Sequence, residues 1–225
     1  MHKLAKKVRT LGVRETLGLI WRNVKLLVGP RDPEESQFDR VLGLDTSFTV
    51  DVDELGGATD LEEYANRYEP TPVNLLRGVI ESLGIDYPRY TFVDIGSGKG
   101  RVLLLASHYP FLRIVGVEFS SRLCDIARRN VDRYRPTSRL CRDVITVHAD
   151  ATCYELPSGD LVLYLYNPFR GELMERLAQR IGESYRANPR DILVIYTNPV
   201  EARVFDSRGF ELLAISAQQK ICRVR

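Results

Sequence analysis

The sequence predicts an α/β fold: a doubly wound, mostly parallel sheet of seven strands with a C-terminal antiparallel hairpin and an N-terminal helical extension. Three observations carry that prediction. From residue 90 onward, short apolar runs alternate with segments of helical spacing, the order a parallel sheet covered on both faces requires. Four of those runs end in a glycine loop or a polar turn, where open parallel sheets place ligands. The last two runs stand back to back with only a short polar turn between them, which adds an antiparallel edge.

In order, Pro70 and Pro72 introduce a helix with Val73, Leu76, Ile80 and Leu83 on one face and Gly84 at its end. Residues 90–95 form a short apolar strand that runs into glycines, followed by a helix over about 99–108. Residues 113–117 are the second strand, with a helix over 121–134, and residues 143–148 the third. The fourth strand, 161–166, precedes a helix over 171–187, and the fifth, 192–197, precedes a short helix over 200–207. Residues 211–215 and 220–224 pair around Ala217-Gln218-Gln219. Helices at 1–30 follow from Leu4, Val8 and Leu11 and from Leu17, Ile20, Trp21, Val24 and Leu27, stopped by Gly29-Pro30. Residues 31–67 have weak periodicity and read as an irregular, acidic connector with short elements, or a lid.

A chain of 225 residues, 44% hydrophobic and 28% charged, suits one globular α/β domain with an added segment. The net charge of +2 is unevenly spread. Residues 1–30 hold seven basic residues against Glu15 alone, whereas residues 31–66 hold eleven acids against Arg31 and Arg40. Cys124, Cys141, Cys153 and Cys222 form no CxxC pair, so reduced thiols are expected. No apolar run approaches the roughly 20 residues of a membrane span, and Arg14, Glu15 and Arg22 break the first apolar stretch, against a secretory leader. The expectation is a cytoplasmic protein with no transmembrane segment. His2, His108 and His148 are dispersed, so no metal-ligand set is expected.

The glycine loop Asp94-Ile95-Gly96-Ser97-Gly98-Lys99-Gly100-Arg101 is weighed against three ligand-binding patterns and a plain turn. A phosphate-binding P-loop needs GxxxxGK followed by Ser or Thr, and Gly100 follows Lys99. A dinucleotide fingerprint needs GxGxxG, and here the third glycine comes one position early. A loop whose backbone approaches a nucleoside without a pyrophosphate fits, as does a plain strand-to-helix turn. The remaining strand ends carry Glu118-Phe119-Ser120, Ala149-Asp150-Ala151 and Asn167-Pro168-Phe169.

Taken together, FVDIGSGKGR, VGVEFS, HADA and YLYNPF resemble the successive motifs of class I S-adenosylmethionine-dependent methyltransferases, over about residues 68–225. The resemblance implies a Rossmann-like fold and S-adenosylmethionine as cofactor. It brings the Gly96 and Gly98 backbone close to the methionine part, counts Ser97, Gly100 and Arg101 among the cofactor-binding residues, and has Asp94 orient that loop and the cofactor's amino group. Glu118, with Phe119 next to it, would accept both ribose hydroxyls; Asp150 would accept the adenine amino group, with the Ala151 backbone against the ring. Tyr68-Glu69-Pro70-Thr71-Pro72 resembles a segment of seven-β-strand lysine methyltransferases that closes over the cofactor, which implicates Tyr68 and Thr71. The stretch from Phe38-Asp39-Arg40 to Leu44-Asp45-Thr46 resembles a segment of a bacterial methyltransferase group. Asn167-Pro168-Phe169 resembles, one proline short, the Asn-Pro-Pro-Tyr/Phe motif of amino- and amide-nitrogen methyltransferases, in which carbonyl oxygens hold the target nitrogen. Each of these turns also has a purely structural reading, and Asn198-Pro199 repeats the dipeptide one strand later.

The function expected is therefore methylation of a nitrogen, on a protein side chain (lysine first) ahead of a nucleic acid or small molecule. The rivals are another nucleoside-cofactor enzyme, either an NAD-dependent dehydrogenase or an aminopropyl transferase, and a cofactor-binding module without catalysis. The basic arm, 1–30, fits packing on the domain, an anionic membrane surface with Trp21 at the headgroups, or nucleic-acid phosphates.

Overall fold

The computed structural model describes residues 33–51, 64–206 and 209–225. The arm expected over residues 1–30 lies outside them. The sheet belongs to a compact unit running from Phe38 to Arg225.

Seven strands form one sheet: β1 (Tyr90–Ile95), β2 (Arg113–Glu118), β3 (Val144–His148), β4 (Asp160–Tyr166), β5 (Ile192–Thr197), β6 (Phe210–Ile215) and β7 (Gln219–Val224). Their spatial order is β3-β2-β1-β4-β5-β7-β6. The first five are parallel, and β7 joins β5 antiparallel with β6 outside it. The order reverses between β1 and β4, so the crevice lies above their carboxyl ends. Register brings Ile95 level with Val117 and Leu165, and Tyr166 level with Thr197, so all the polar turns emerge on one side.

Alternate residues of each strand feed separate cores, as a period of two demands. Phe92, Ile114, Val162 and Ile195 pack on one face with Leu76, Val79 and Ile80 of α2 (Val73–Ser82) and Leu103 and Leu104 of α3 (Arg101–Ala106). Val93, Val115, Leu163 and Val194 pack on the other with Met174, Leu177 and Ile181 of α5 (Glu172–Ala187). Between β2 and β3 runs α4 (Ser121–Arg133), its first turn capped by the Ser120 hydroxyl, which accepts from Leu123 N.

Residues 33–42 form a short helix, α1 (Pro33–Leu42), within the stretch read as a connector with short elements. One element differs from expectation. The helix expected over 200–207 is a 3₁₀ segment at Ala202–Asp206, with Phe205 out of helical conformation. Phe205 is buried between the Tyr196 and Phe210 rings, and the Lys220 ammonium ties down the Ala202 carbonyl and the Asp206 carboxylate. Side-chain burial and that tether together override a regular helical turn.

Candidate active site

The loop after β1 turns sharply. Gly96 N and Ser97 N both donate to Val117 O, at 2.9 and 3.1 Å, and Gly100 N closes onto Ser97 O at 2.8 Å. Gly96 and Gly98 have φ of +75° and +52°, in the region that L side chains avoid. Space is short as well: a Cβ on Gly96 would stand 2.6 Å from Pro168 Cβ, and one on Gly98 2.2 Å from the Tyr68 ring. The glycine loop, the Asn-Pro turn and the Tyr68 segment therefore meet at one point.

Glu118, at the end of β2, is buried and faces this loop. Its two oxygens are divided: one accepts from Gly98 N at 2.8 Å, the other from Ser120 N at 2.9 Å. A carboxylate has four acceptor sites, and these two bonds take one on each oxygen; the Phe119 N–H bears on the group more weakly. Burial raises the Glu118 pKa, and the Ser120 and Gly98 N–H groups oppose the rise. Asp94 is also buried. Its pKa stands well above the ordinary carboxylate value, because of burial first and the Glu118 charge second.

The same cleft is lined by Thr71, Ser97, Arg101, Phe119, Asp150 and Ala151. Asp150 is turned back on its own loop, where one oxygen accepts from Thr152 N and Thr152 Oγ1, both at 2.8 Å. Its second oxygen, 3.7 Å from Cys153 Sγ, is what remains for a ligand. Tyr68 stacks on Gly98 and donates from its hydroxyl to Thr46 O at 2.8 Å. Burial pushes its phenol pKa far above ordinary, against a smaller pull from Arg101, in keeping with a hydroxyl that donates.

Arg101, at the start of α3, is among the largest fully buried side chains. Its Nη1 donates to Thr46 Oγ1 at 3.1 Å and reaches Ser47 Oγ at 3.4 Å, and the guanidinium lies 5.2 Å from the centre of the Phe38 ring. Nε and Nη2 have no partner among the described residues. A buried cation with two idle donors is costly unless an anion completes it.

At the end of β4, Asn167 adopts φ +43°. Its side-chain oxygen accepts from the Tyr196 hydroxyl at 3.2 Å, and its backbone oxygen accepts from Asn66 Nδ2 at 2.8 Å. Asn66 N donates to Pro168 O at 3.1 Å, Arg170 N donates to Tyr64 O at 3.0 Å, and Ala65 bridges Phe169. Residues 64–68 thus run as an extended strap across the Asn-Pro-Phe turn. The carbonyl oxygens expected to hold a target nitrogen are present and each already takes one internal donor, which leaves one lone pair apiece.

Every site residue expected from the sequence lines or adjoins this cleft: Asp94, Gly96, Ser97, Gly98, Arg101, Glu118, Phe119, Asp150, Ala151, Asn167, Pro168, Phe169, Tyr68 and Thr71 line it. Gly100 supports it from behind, with Ala127 of α4 3.0 Å from where its Cβ would be. Sequence reasoning assigned no role to Asn66, Tyr196, Asp39 or Thr46. Asp39 and Thr46 sat in a stretch whose family likeness was visible, whereas Asn66 and Tyr196 left no signal. The donor set suits S-adenosylmethionine on this geometry. Glu118 offers paired acceptors for a vicinal diol, and the idle Arg101 donors match a carboxylate.

Comparison with solved structures agrees on the architecture. Three structures each superpose with a TM-score of 0.50. Precorrin-6y C5,15-methyltransferase from Geobacter metallireducens GS-15 is 18% identical, over 78% of this chain and 96% of its own. A predicted N6-adenine-specific DNA methylase from Listeria monocytogenes is 13% identical, over 69% of this chain and 51% of its own. MtNAS, solved in complex with S-adenosylmethionine, is 17% identical, over 68% of this chain and 61% of its own. The chain has the class I methyltransferase fold. No protein-family model and no curated protein sequence matches it. Within that methyltransferase fold, the cleft described above occupies the carboxyl ends of β1, β2 and β4. Among the described residues, no helix is long and apolar enough to cross a membrane.

Proposed function

We propose that the chain is an S-adenosylmethionine-dependent methyltransferase acting on a nitrogen, with a polypeptide side chain, lysine first, as acceptor. The observation that carries this reading is the meeting of Glu118, Arg101 and Asn167 in one cleft at the switch point of the sheet. Glu118 would hold the ribose hydroxyls, and Asp94 the amino group of the methionine part. Arg101 would take the methionine carboxylate, which completes a cation that the protein alone leaves short of partners. Asp150 and Ala151 would flank the adenine. When bound, S-adenosylmethionine supplies a methyl group activated by its positively charged sulfur, so the protein's task is alignment with water excluded.

On the acceptor side, the free lone pairs of Asn167 Oδ1 and Asn167 O would orient the N–H groups of a neutral amine. Phe169, Tyr166 and Tyr68 wall the cleft and favour the deprotonated amine by desolvation. Among the described residues, the cations in the cleft wall are Arg67, ion-paired to Glu69 at 2.7 Å, and the deeply buried Arg101. Among the described residues the wall thus offers no solvent-facing row of Lys and Arg of the kind a phosphate backbone calls for, which supports a polypeptide acceptor. Residues 38–50 and 64–69 cover the glycine loop and the Asn-Pro turn, the position of a lid.

The test is transfer of radiolabelled methyl from S-adenosylmethionine into a fractionated cell extract, with Glu118→Ala as the control. Label in the polypeptide fraction that the control lacks is the expected result. Label confined to RNA, DNA or small molecules would move the acceptor to that class, and no Glu118-dependent label in any fraction would remove the enzyme assignment.

A further inference from the structure

The segment between α1 and the strap is held by a chain of buried polar contacts that ends on Arg101. Asp39, on α1, is buried; one of its oxygens accepts from Thr46 Oγ1 at 2.6 Å. Its other oxygen accepts from Thr46 N at 2.5 Å and Ser47 N at 2.6 Å. Because Thr46 Oγ1 spends its only proton on Asp39, it faces Arg101 as an acceptor, and it receives Nη1 at 3.1 Å. Thr46 is itself fully buried, and its backbone oxygen receives the Tyr68 hydroxyl.

The Asp39 charge thus reaches Arg101 through one hydroxyl. That arrangement fixes the guanidinium at Nη1, against the Phe38 ring, and leaves Nε and Nη2 uncommitted. A direct Asp–Arg pair would have consumed those donors in a bidentate contact. The alternative role for Asp39 and Thr46, a plain loop fastening, is already supplied by Asp45 N and O on the Asn130 side chain and by the Lys99–Asp45 ion pair.

We propose that Asp39 and Thr46 are positioning residues that act through Arg101, orienting its two free donors toward the carboxylate of the cofactor's methionine part. This inference rests on the cofactor reading above. It makes the Phe-Asp-Arg to Leu-Asp-Thr stretch a determinant of how the protein tells a whole cofactor from its nucleoside portion.

The experiment uses the full chain and two probes, S-adenosylhomocysteine and 5′-methylthioadenosine, which keeps the nucleoside and sulfur but lacks the amino-acid end. Titration calorimetry on wild type, Thr46→Val, Thr46→Ser and Asp39→Asn gives a dissociation constant for each probe. In Thr46→Val and Asp39→Asn, the constant for S-adenosylhomocysteine should rise about tenfold, the size of one charged hydrogen bond, while that for 5′-methylthioadenosine stays within about twofold. Thr46→Ser, which keeps the hydroxyl, should restore the wild-type ratio. A parallel weakening of both probes, or no change in either, would overturn the proposal. If Thr46→Val does not fold, the Asp39→Asn ratio decides alone. Wild-type protein that binds neither probe would instead remove the cofactor reading on which the proposal stands.

Discussion

Replacing Glu118 by Gln tests the ribose contact with the least change of shape. In the native protein each carboxylate oxygen accepts one backbone N–H, from Gly98 or Ser120, and would accept one ribose hydroxyl. The substitution turns one oxygen into an NH₂ group, which cannot accept from a backbone N–H or from a hydroxyl that needs an acceptor. One charged hydrogen bond to the ligand is lost, at about 1.5–3 kcal/mol. Glu118 is only 4% exposed, so solvent does not discount that figure. At 1.4 kcal/mol per decade, the dissociation constant should rise roughly 10- to 150-fold. Because the ribose belongs to both probes, S-adenosylhomocysteine and 5′-methylthioadenosine should weaken together, unlike in the Thr46 and Asp39 variants. Calorimetric titration reads this directly, with a thermal melt to show that the variant is folded. An unchanged dissociation constant in a folded Glu118→Gln protein would refute the assignment of Glu118 to the cofactor.

Asn167→Ala should cut methyl transfer while leaving S-adenosylhomocysteine affinity within about twofold, since the lost acceptor lies on the substrate side; equal loss of both would mark the turn as structural. Gly98→Ala should lower the melting temperature by several degrees and abolish cofactor binding, because its Cβ meets the Tyr68 ring at 2.2 Å and φ is +52°. A Gly98→Ala protein with native stability would contradict the packing described. Asp94 and Glu118 have pKa values raised above their ordinary 3.8 and 4.5. Their contribution to stability is therefore full below those values and is lost as pH rises through the raised ones. The cofactor's amino group favours the ionised form of Asp94, so affinity for S-adenosylmethionine and S-adenosylhomocysteine alike should climb with pH across that window, while 5′-methylthioadenosine, which lacks that group, should follow it less steeply. The same profile for all three ligands, in wild type and Asp94→Asn alike, would show that Asp94 does not face the amino group.

The strand ends were legible because sheet periodicity and glycine punctuation are local signals. Asp94, Gly96, Gly98, Glu118 and Asn167 each follow directly from where an apolar run stops. What covers them was not. Asn66 reaches Asn167 across 101 residues, and Arg101 reaches Thr46 across 55. Contacts of that separation leave no periodic trace in either segment. The Asp150 carboxylate shows a different limit. A residue type in the right turn was visible, but Thr152, two positions on, competes for the same oxygen. Likewise the buried Phe205 and the Lys220 tether, both tertiary, decide the 3₁₀ form of residues 202–206.

The central claim is that the cleft at the carboxyl ends of β1, β2 and β4 takes S-adenosylmethionine. The most direct test is calorimetric titration of the full chain with S-adenosylmethionine, S-adenosylhomocysteine and NAD. One-to-one binding of both sulfur nucleosides at micromolar-range affinity, with no heat from NAD, is the predicted result. Binding of NAD in preference to either of them, or no binding of S-adenosylmethionine and S-adenosylhomocysteine at millimolar concentration, would contradict it.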